Sequence, residues 1–222
     1  MIVYKVNYLS KRKLKKFKKD YINLYEDDLK DEINERLLLG FTNNNDVINQ
    51  IYCYLEIIPD NINPYKEFIN IIKKYFNNRN SILEVGAGYI PIVAKYLENQ
   101  CDMTIMDPKI LFQNYAKANI KKESFTLNTN LNKYDLIIGY NPCEATQNII
   151  INAIKHKKNF IIATCGCCYL PLNYKERTKE NWHRYLIKKA RLLGEDDYDI
   201  IIDYFDEQFH INNPIIVGKL KK

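Results

Sequence analysis

The chain has 222 residues, 46% of them hydrophobic and 27% charged, enough apolar material for one full core and too much for a disordered tail or a fibrous repeat. No apolar run approaches the ~18 unbroken residues of a spanning helix, so a cytoplasmic protein with no membrane partner is expected. The formal charge of +6 allows a polyanionic partner without requiring one.

Up to about residue 78 helical signals dominate. Lys11 to Lys19 sets seven bases around Leu14 and Phe17, which reads as a solvated helix face or as a phosphate-contacting one. Three further helices are expected over Asp28–Leu39, Asp46–Ile58 and Pro64–Phe76, with Pro64 in a first turn, where its missing N–H leaves no bond unmade. The expected organisation is a helical extension over residues 1–78 followed by a second unit over 79–222.

From Ser81 the period changes. Ser81–Val85 is a short β-rich run that ends on Gly86-Ala87-Gly88. Ile90–Leu97 then has helical spacing, and Asp102–Met106 reads as a second strand ending on Asp107. Strand, glycine turn, helix, strand is a βαβ unit. A weak strand is expected near Phe125, a clear one over Tyr134–Gly139, a helix over Ala145–His156 and a buried strand over Phe160–Ala163. After a helix-forming stretch from Lys175 to Leu193, Asp199–Phe205 and Pro214–Leu220 predict two strands joined without a helix, hence an antiparallel hairpin. The class is α/β.

A glycine turn at the carboxyl end of a first strand lets the backbone approach a ligand and aims the next helix at it. Gly86 and Gly88 supply that freedom, and Asp107, at the end of the second strand, is placed to accept hydrogen bonds from a ribose. The third glycine of the dinucleotide fingerprint is absent, since Tyr89-Ile90-Pro91 stands there. A pyrophosphate fits that turn badly, whereas an adenosyl group without phosphates needs less room.

These residues resemble those of the class I methyltransferases that use S-adenosylmethionine. Ile82 to Gly88 is similar to that superfamily's first motif, Asp107 to its second, Tyr134 to Pro142 to its fourth, and the closing strand pair to its hairpin. The resemblance implies a Rossmann-like sheet with S-adenosylmethionine as cofactor. Glu84, Gly86, Ala87 and Gly88 then face its methionine part, Tyr89 closes over it or fills the turn, and Asp107 takes the ribose. Asn128 is the polar candidate for the adenine, and Asn141 lies at the junction of cofactor and acceptor.

The acceptor end is less determined. Asn141-Pro142 looks like the start of the amino-methyltransferase Asn-Pro-Pro-aromatic motif, but Cys143-Glu144 replaces the rest and no aromatic follows. Pro142-Cys143 and Thr164-Cys165 resemble the cysteine motifs of RNA cytosine-C5 methyltransferases, where a thiolate adds to the ring. A longer pattern, Gly139 to Thr146 with Cys167-Cys168-Tyr169, resembles a group that includes a tRNA 2′-O-methyltransferase family. Six cysteines so unevenly spread make no disulfide framework. Cys143, Cys165, Cys167 and Cys168 are read as pocket wall, as a nucleophile at Cys143, or as zinc ligands with His183, although Cys-x-Cys-Cys lacks the usual ligand spacing, and no metal is assigned. Glu144 is a proton acceptor or a dipole-compensating residue in a first helical turn. Trp182-His183 reads as packing plus surface. The expected activity is methyl transfer through Asn141, Cys143 and Glu144, with RNA (tRNA or rRNA) the favoured acceptor. The alternatives are a small amine or acid metabolite, or an inactive protein that keeps the fold for binding. The run Glu195–Glu207, with seven acids and no base, is an edge that a nucleic acid avoids.

Overall fold

The computed structural model describes residues 63–221 apart from 79, 89, 111–116, 167–170 and 210. The basic stretch Lys11–Lys19, the helices expected over 28–39 and 46–58, Tyr89, and Cys167-Cys168-Tyr169 lie outside the described residues.

Asn63 opens the first described helix, α1 (Pro64–Tyr75). Its side chain accepts hydrogen bonds from the N–H groups of Tyr65 and Lys66, and Pro64 occupies the first turn as expected. Phe68, Ile69, Ile71 and Ile72 recur at helical spacing and are buried. Strand β1 (Ser81–Val85) and helix α2 (Ile92–Leu97) follow, then β2 (Asp102–Met106) and β3 (Asn119–Lys121). Next come β4 (Leu136–Tyr140), a single 3-10 turn (Cys143–Ala145), α3 (Thr146–Lys155) and β5 (Asn159–Ala163). The chain closes with α4 (Lys179–Gly194), β6 (Tyr198–Asp203) and β7 (Ile215–Leu220).

The strands of the described residues form one seven-stranded sheet in the order β3-β2-β1-β4-β5-β7-β6. β1 pairs in parallel with β2 and β4, and β4 with β5. β7 is antiparallel to both β5 and β6, so the closing hairpin is present and β7 is inserted between its neighbours. The inner strands are buried along nearly their whole length because helices cover both faces. One face carries Ile82, Ile105, Leu136, Ile138 and Ile161 against α1 and α2, and the other carries Leu83, Val85, Ile137, Phe160 and Ile162 against α3 and α4. The alternation of odd and even positions between the two clusters is the two-residue period of the strand.

The third strand lies at Asn119–Lys121, earlier than the expected site near Phe125. Phe125 is instead buried in the core from a coil segment. An edge strand needs partners on one side only, so it can be short and polar, and a lone Ile120 gives no β signal. The strand expected over Tyr134–Gly139 starts two residues later, because Tyr134 closes a turn onto Leu131 before the ladder begins.

Candidate cofactor and acceptor site

Strand order reverses between β1 and β4, and the turns that leave their carboxyl ends meet there. Gly86 and Gly88 both take left-handed backbone angles (φ 72° and 71°), which a side chain rarely tolerates. A Cβ on Gly86 would stand 2.6 Å from the Cα of Pro142, and one on Gly139 would stand 2.8 Å from its Cγ. The two glycines therefore make the room in which the post-β4 loop lies directly against the post-β1 turn. Gly86 is also pinned laterally, its N–H donating to the Met106 carbonyl at 3.0 Å.

Asp107 directly follows β2 beside this turn and is 8% exposed. One carboxylate oxygen accepts the Gly88 N–H at 2.9 Å and the other the Lys109 N–H at 2.7 Å. The carboxylate is thereby oriented, and each oxygen keeps a further lone pair for a ligand hydroxyl. Glu84, in β1, is held by the helix that follows the turn. It is 1% exposed and accepts the Ala94 N–H of α2 at 2.9 Å, so its carboxylate holds the glycine turn to the helix that follows. Burial pushes the Glu84 carboxyl up to about 8, with the Ala94 N–H opposing and the charge of Asp107 adding to the rise.

Asn141 continues the sheet through its N–H, which donates to the Ala163 carbonyl at 2.8 Å, yet it is exposed and has φ 51°. Cys143 has φ 46° and is half-buried. Its carbonyl accepts the Thr146 hydroxyl at 2.7 Å, and the Pro142 carbonyl accepts the Ala145 N–H at 2.9 Å. Two non-glycine residues in left-handed conformation within three positions store strain, held in place by these bonds and by buried Pro142. Glu144 is exposed in the single turn that leads into α3.

β4 and β5 are neighbours, which brings the loops of Cys143 and Cys165 to one edge. The second of them is closed. Thr164 is fully buried and donates both its N–H and its hydroxyl to the Pro214 carbonyl. Cys165 is 4% exposed, with its carbonyl 3.1 Å from His183 Nε2. A carbonyl only accepts, so His183 carries its proton on Nε2. Burial lowers its pKa and keeps the ring neutral. Trp182 and His183 are both buried, so the expected surface role for the histidine gives way to a strut between α4 and the post-β5 loop.

Asn128 is exposed, and the carbonyls of its neighbours Thr126 and Thr129 accept from Asn152. These bonds tie the turn that carries Asn128 to α3. A shallow cleft between α4 and the β6–β7 connection, lined by Arg184, Lys188, Arg191 and Tyr204, includes none of the turn residues, and the position of the chemistry follows from the strand reversal.

No protein-family model and no curated protein matches the chain. Solved structures do. A point mutant of MtNAS aligns over 86% of this chain and 78% of its own at 13% identity, with a TM-score of 0.51. The same mutant in complex with S-adenosylmethionine aligns over 81% and 74% at 12% identity, with a TM-score of 0.49. The N-methyltransferase NodS from Bradyrhizobium japonicum WM9 aligns over 72% and 98% at 10% identity, with a TM-score of 0.48. At these identities the likeness is one of fold, and the inserted antiparallel β7 decides which. The chain has the Rossmann-like fold of the class I methyltransferases. In a sheet of this fold a ligand lies beyond the carboxyl ends of the strands at the reversal, where Gly86, Gly88, Asp107 and Asn141 converge. An adenosyl group fits the donors and acceptors present: an oriented carboxylate for the ribose, and a turn whose two glycines let backbone approach closely.

Proposed function

We propose that the protein is an S-adenosylmethionine-dependent methyltransferase. The observation that carries this reading is the Gly88 N–H bond to Asp107, which locks a carboxylate beside a left-handed glycine turn at the strand reversal. S-adenosylmethionine brings a methyl group already activated by its sulfonium. Asp107 accepts the ribose hydroxyls, and Gly86, Ala87 and Gly88, which Tyr89 follows in the sequence, present backbone to the methionine part. Glu84 acts on that turn as a positioning residue, through Ala94. Asn128, exposed in the turn that follows Phe125, is the polar side chain for the adenine. Asn141 orients the acceptor, and the strained loop fixes its distance, since an aligned near-contact geometry supplies much of the rate. Glu144, open to solvent, takes the proton the acceptor loses.

RNA, tRNA or rRNA, is the favoured acceptor. The seven bases of Lys11–Lys19 support it, as does the likeness of Pro142-Cys143 and Thr164-Cys165 to RNA methyltransferase motifs, with Cys143 the nucleophile if a ring carbon is attacked. A small amine is the second reading, favoured by the exposed Glu144 beside Asn141. The domain division we propose is 1–78 and 79–222, with α1, the last helix of the first part, built into the core of the second. No helix among the described residues is long and apolar enough to cross a membrane, and we propose a cytoplasmic location.

Titration calorimetry with S-adenosylmethionine tests the reading. Wild type binds, and Asp107→Ala weakens binding about 10- to 100-fold, the worth of charged hydrogen bonds to a ligand. A folded wild-type protein that binds neither S-adenosylmethionine nor S-adenosylhomocysteine overturns it.

A further inference from the structure

Helix α4 buries Trp182, His183, Leu186 and Ala190 and leaves a second face to the cleft that it forms with the β6–β7 connection. Glu180, Arg184, Lys188, Arg191 and Glu195 recur on that face at spacings of three or four, and Leu192 and Tyr204 line the cleft with them. The three bases are exposed, and none of them forms an ion pair among the described residues. Tyr204 is 54% exposed and Leu192 67%. Of the seven acids in the run Glu195–Glu207, Glu195 alone lines the cleft. Two of the others are engaged elsewhere, Asp197 by Lys157 at 3.1 Å and Asp203 by Lys74 at 2.9 Å. The repulsion expected of that edge therefore does not extend over the bases of α4.

One end of the cleft adjoins the edge where the ligand is expected. His183 and Pro214 line it, and these are the residues that hold the post-β5 loop, through the Cys165 carbonyl and through Thr164. Along the carboxyl edge the Thr164 N–H donates to the Pro214 carbonyl at 3.1 Å, and the Asn141 N–H donates to the carbonyl of Ala163, the residue before Thr164, at 2.8 Å. Pro214 and Asn141 are thus two strand spacings apart, about 10 Å. From there the bases run down α4. Arg184 to Arg191 covers seven residues, about 10 Å of helix axis, which is the length of roughly three stacked nucleotides at about 3.4 Å each.

We propose that this cleft binds the backbone of a single-stranded RNA, with Arg184, Lys188 and Arg191 on about three successive phosphates and Tyr204 as a stacking platform for a base. The inference rests on the methyltransferase reading and names how that site holds its acceptor strand. Guanidinium groups match phosphate oxygens in pairs, and a base offers a π-face to an open tyrosine ring whatever its sequence. Glu180 and Glu195 stand about 22 Å apart along α4, one beyond each end of the bases, so contact is confined to the few phosphates between them. A strand held there has one end about 10 Å from Asn141, within reach of the acceptor loop by a few nucleotides.

The test uses the full chain with S-adenosylhomocysteine bound and a 12-nucleotide single-stranded RNA of mixed sequence as probe, followed by fluorescence anisotropy over a range of salt. Replacing Arg184, Lys188 and Arg191 together by Gln lowers the salt slope by about 2, near 0.7 for each phosphate released. Tyr204→Leu weakens binding about 5- to 100-fold, while Tyr204→Phe retains it because it retains the ring. S-adenosylhomocysteine affinity, read by calorimetry, stays within about twofold in every variant. In wild type, irradiation of the same RNA carrying 5-bromouracil crosslinks the peptide that contains Tyr204, a readout that needs no variant to fold. A triple variant with the wild-type slope, or crosslinks confined to other peptides, overturns the proposal and leaves the cofactor reading intact. So does a cofactor-loaded wild type that binds polyglutamate but not the RNA, which assigns the cleft to an acidic protein partner instead. Failure of wild type to bind S-adenosylhomocysteine removes both.

Discussion

Glu84 joins deep burial to a single backbone donor, and that combination sets a pH dependence at one residue. Its carboxyl, ordinarily near 4.5, titrates at about 8 in the fold because burial disfavours the charged form. The folded chain therefore binds a proton that the unfolded chain has lost between about pH 4.5 and 8. This contribution to stability falls as pH rises through that window and is fully lost above it. Glu84→Gln keeps an oxygen for the Ala94 N–H and has no charge to bury. Thermal unfolding should show the variant close to wild type near pH 4.5 and increasingly more stable towards pH 8.5; a difference that stays constant with pH refutes the assignment. The residue types around the site were readable without a structure: Gly86, Gly88 and Asp107 sit where the glycine turn and its following acid were expected. The partner of Glu84 was not readable, because a strand shows only that alternate residues share a face, and the donor that holds this carboxylate belongs to α2. Asn128 illustrates the same limit, since its turn is tied to α3 by Asn152.

Elements were legible where their periodicity was strong. β1 and β2 begin and end as the sequence predicts, and the closing pair forms its hairpin. β3 was misplaced because one isoleucine among polar residues carries no period. Pairing between distant strands brings requirements of its own. Gly218 of β7 stands opposite Phe160 of β5, and a Cβ there would lie 2.0 Å from the phenylalanine ring, which is fully buried. Overpacking of this kind costs about 1–3 kcal/mol, so Gly218→Ala should lower the unfolding free energy by that amount in denaturant titration. Phe160→Leu in the same chain should recover part of the loss, giving a non-additive double-mutant cycle. Additive effects would mean that the two strands do not meet as described. No local signal in residues 215–220 announces this constraint, because Gly218 is small on account of a ring 58 positions away in sequence.

For the whole molecule, charge is the property that reaches beyond the described residues. If RNA is the acceptor, the bases of Lys11–Lys19 contribute by counterion release, with a salt slope near −0.7 per neutralised phosphate on a single strand. Replacing Lys13, Lys15 and Lys16 by Gln in the full chain should weaken RNA binding and reduce that slope by about 2 while leaving S-adenosylhomocysteine affinity unchanged; an unaltered slope would assign the basic stretch to solvation alone. Composition, the shift from helical to alternating period at Ser81, the glycine turn and Asp107 determined an α/β sheet with a glycine turn and an acid at its carboxyl edge, because each is encoded over a few consecutive residues. Only the tertiary structure decided that Pro142 packs on Gly86, that His183 and Pro214 close the Thr164-Cys165 loop, and that α1 lays Tyr65 against Tyr140 along the carboxyl edge. Those contacts join residues tens of positions apart, and their geometry is set by strand order and helix packing rather than by any local pattern.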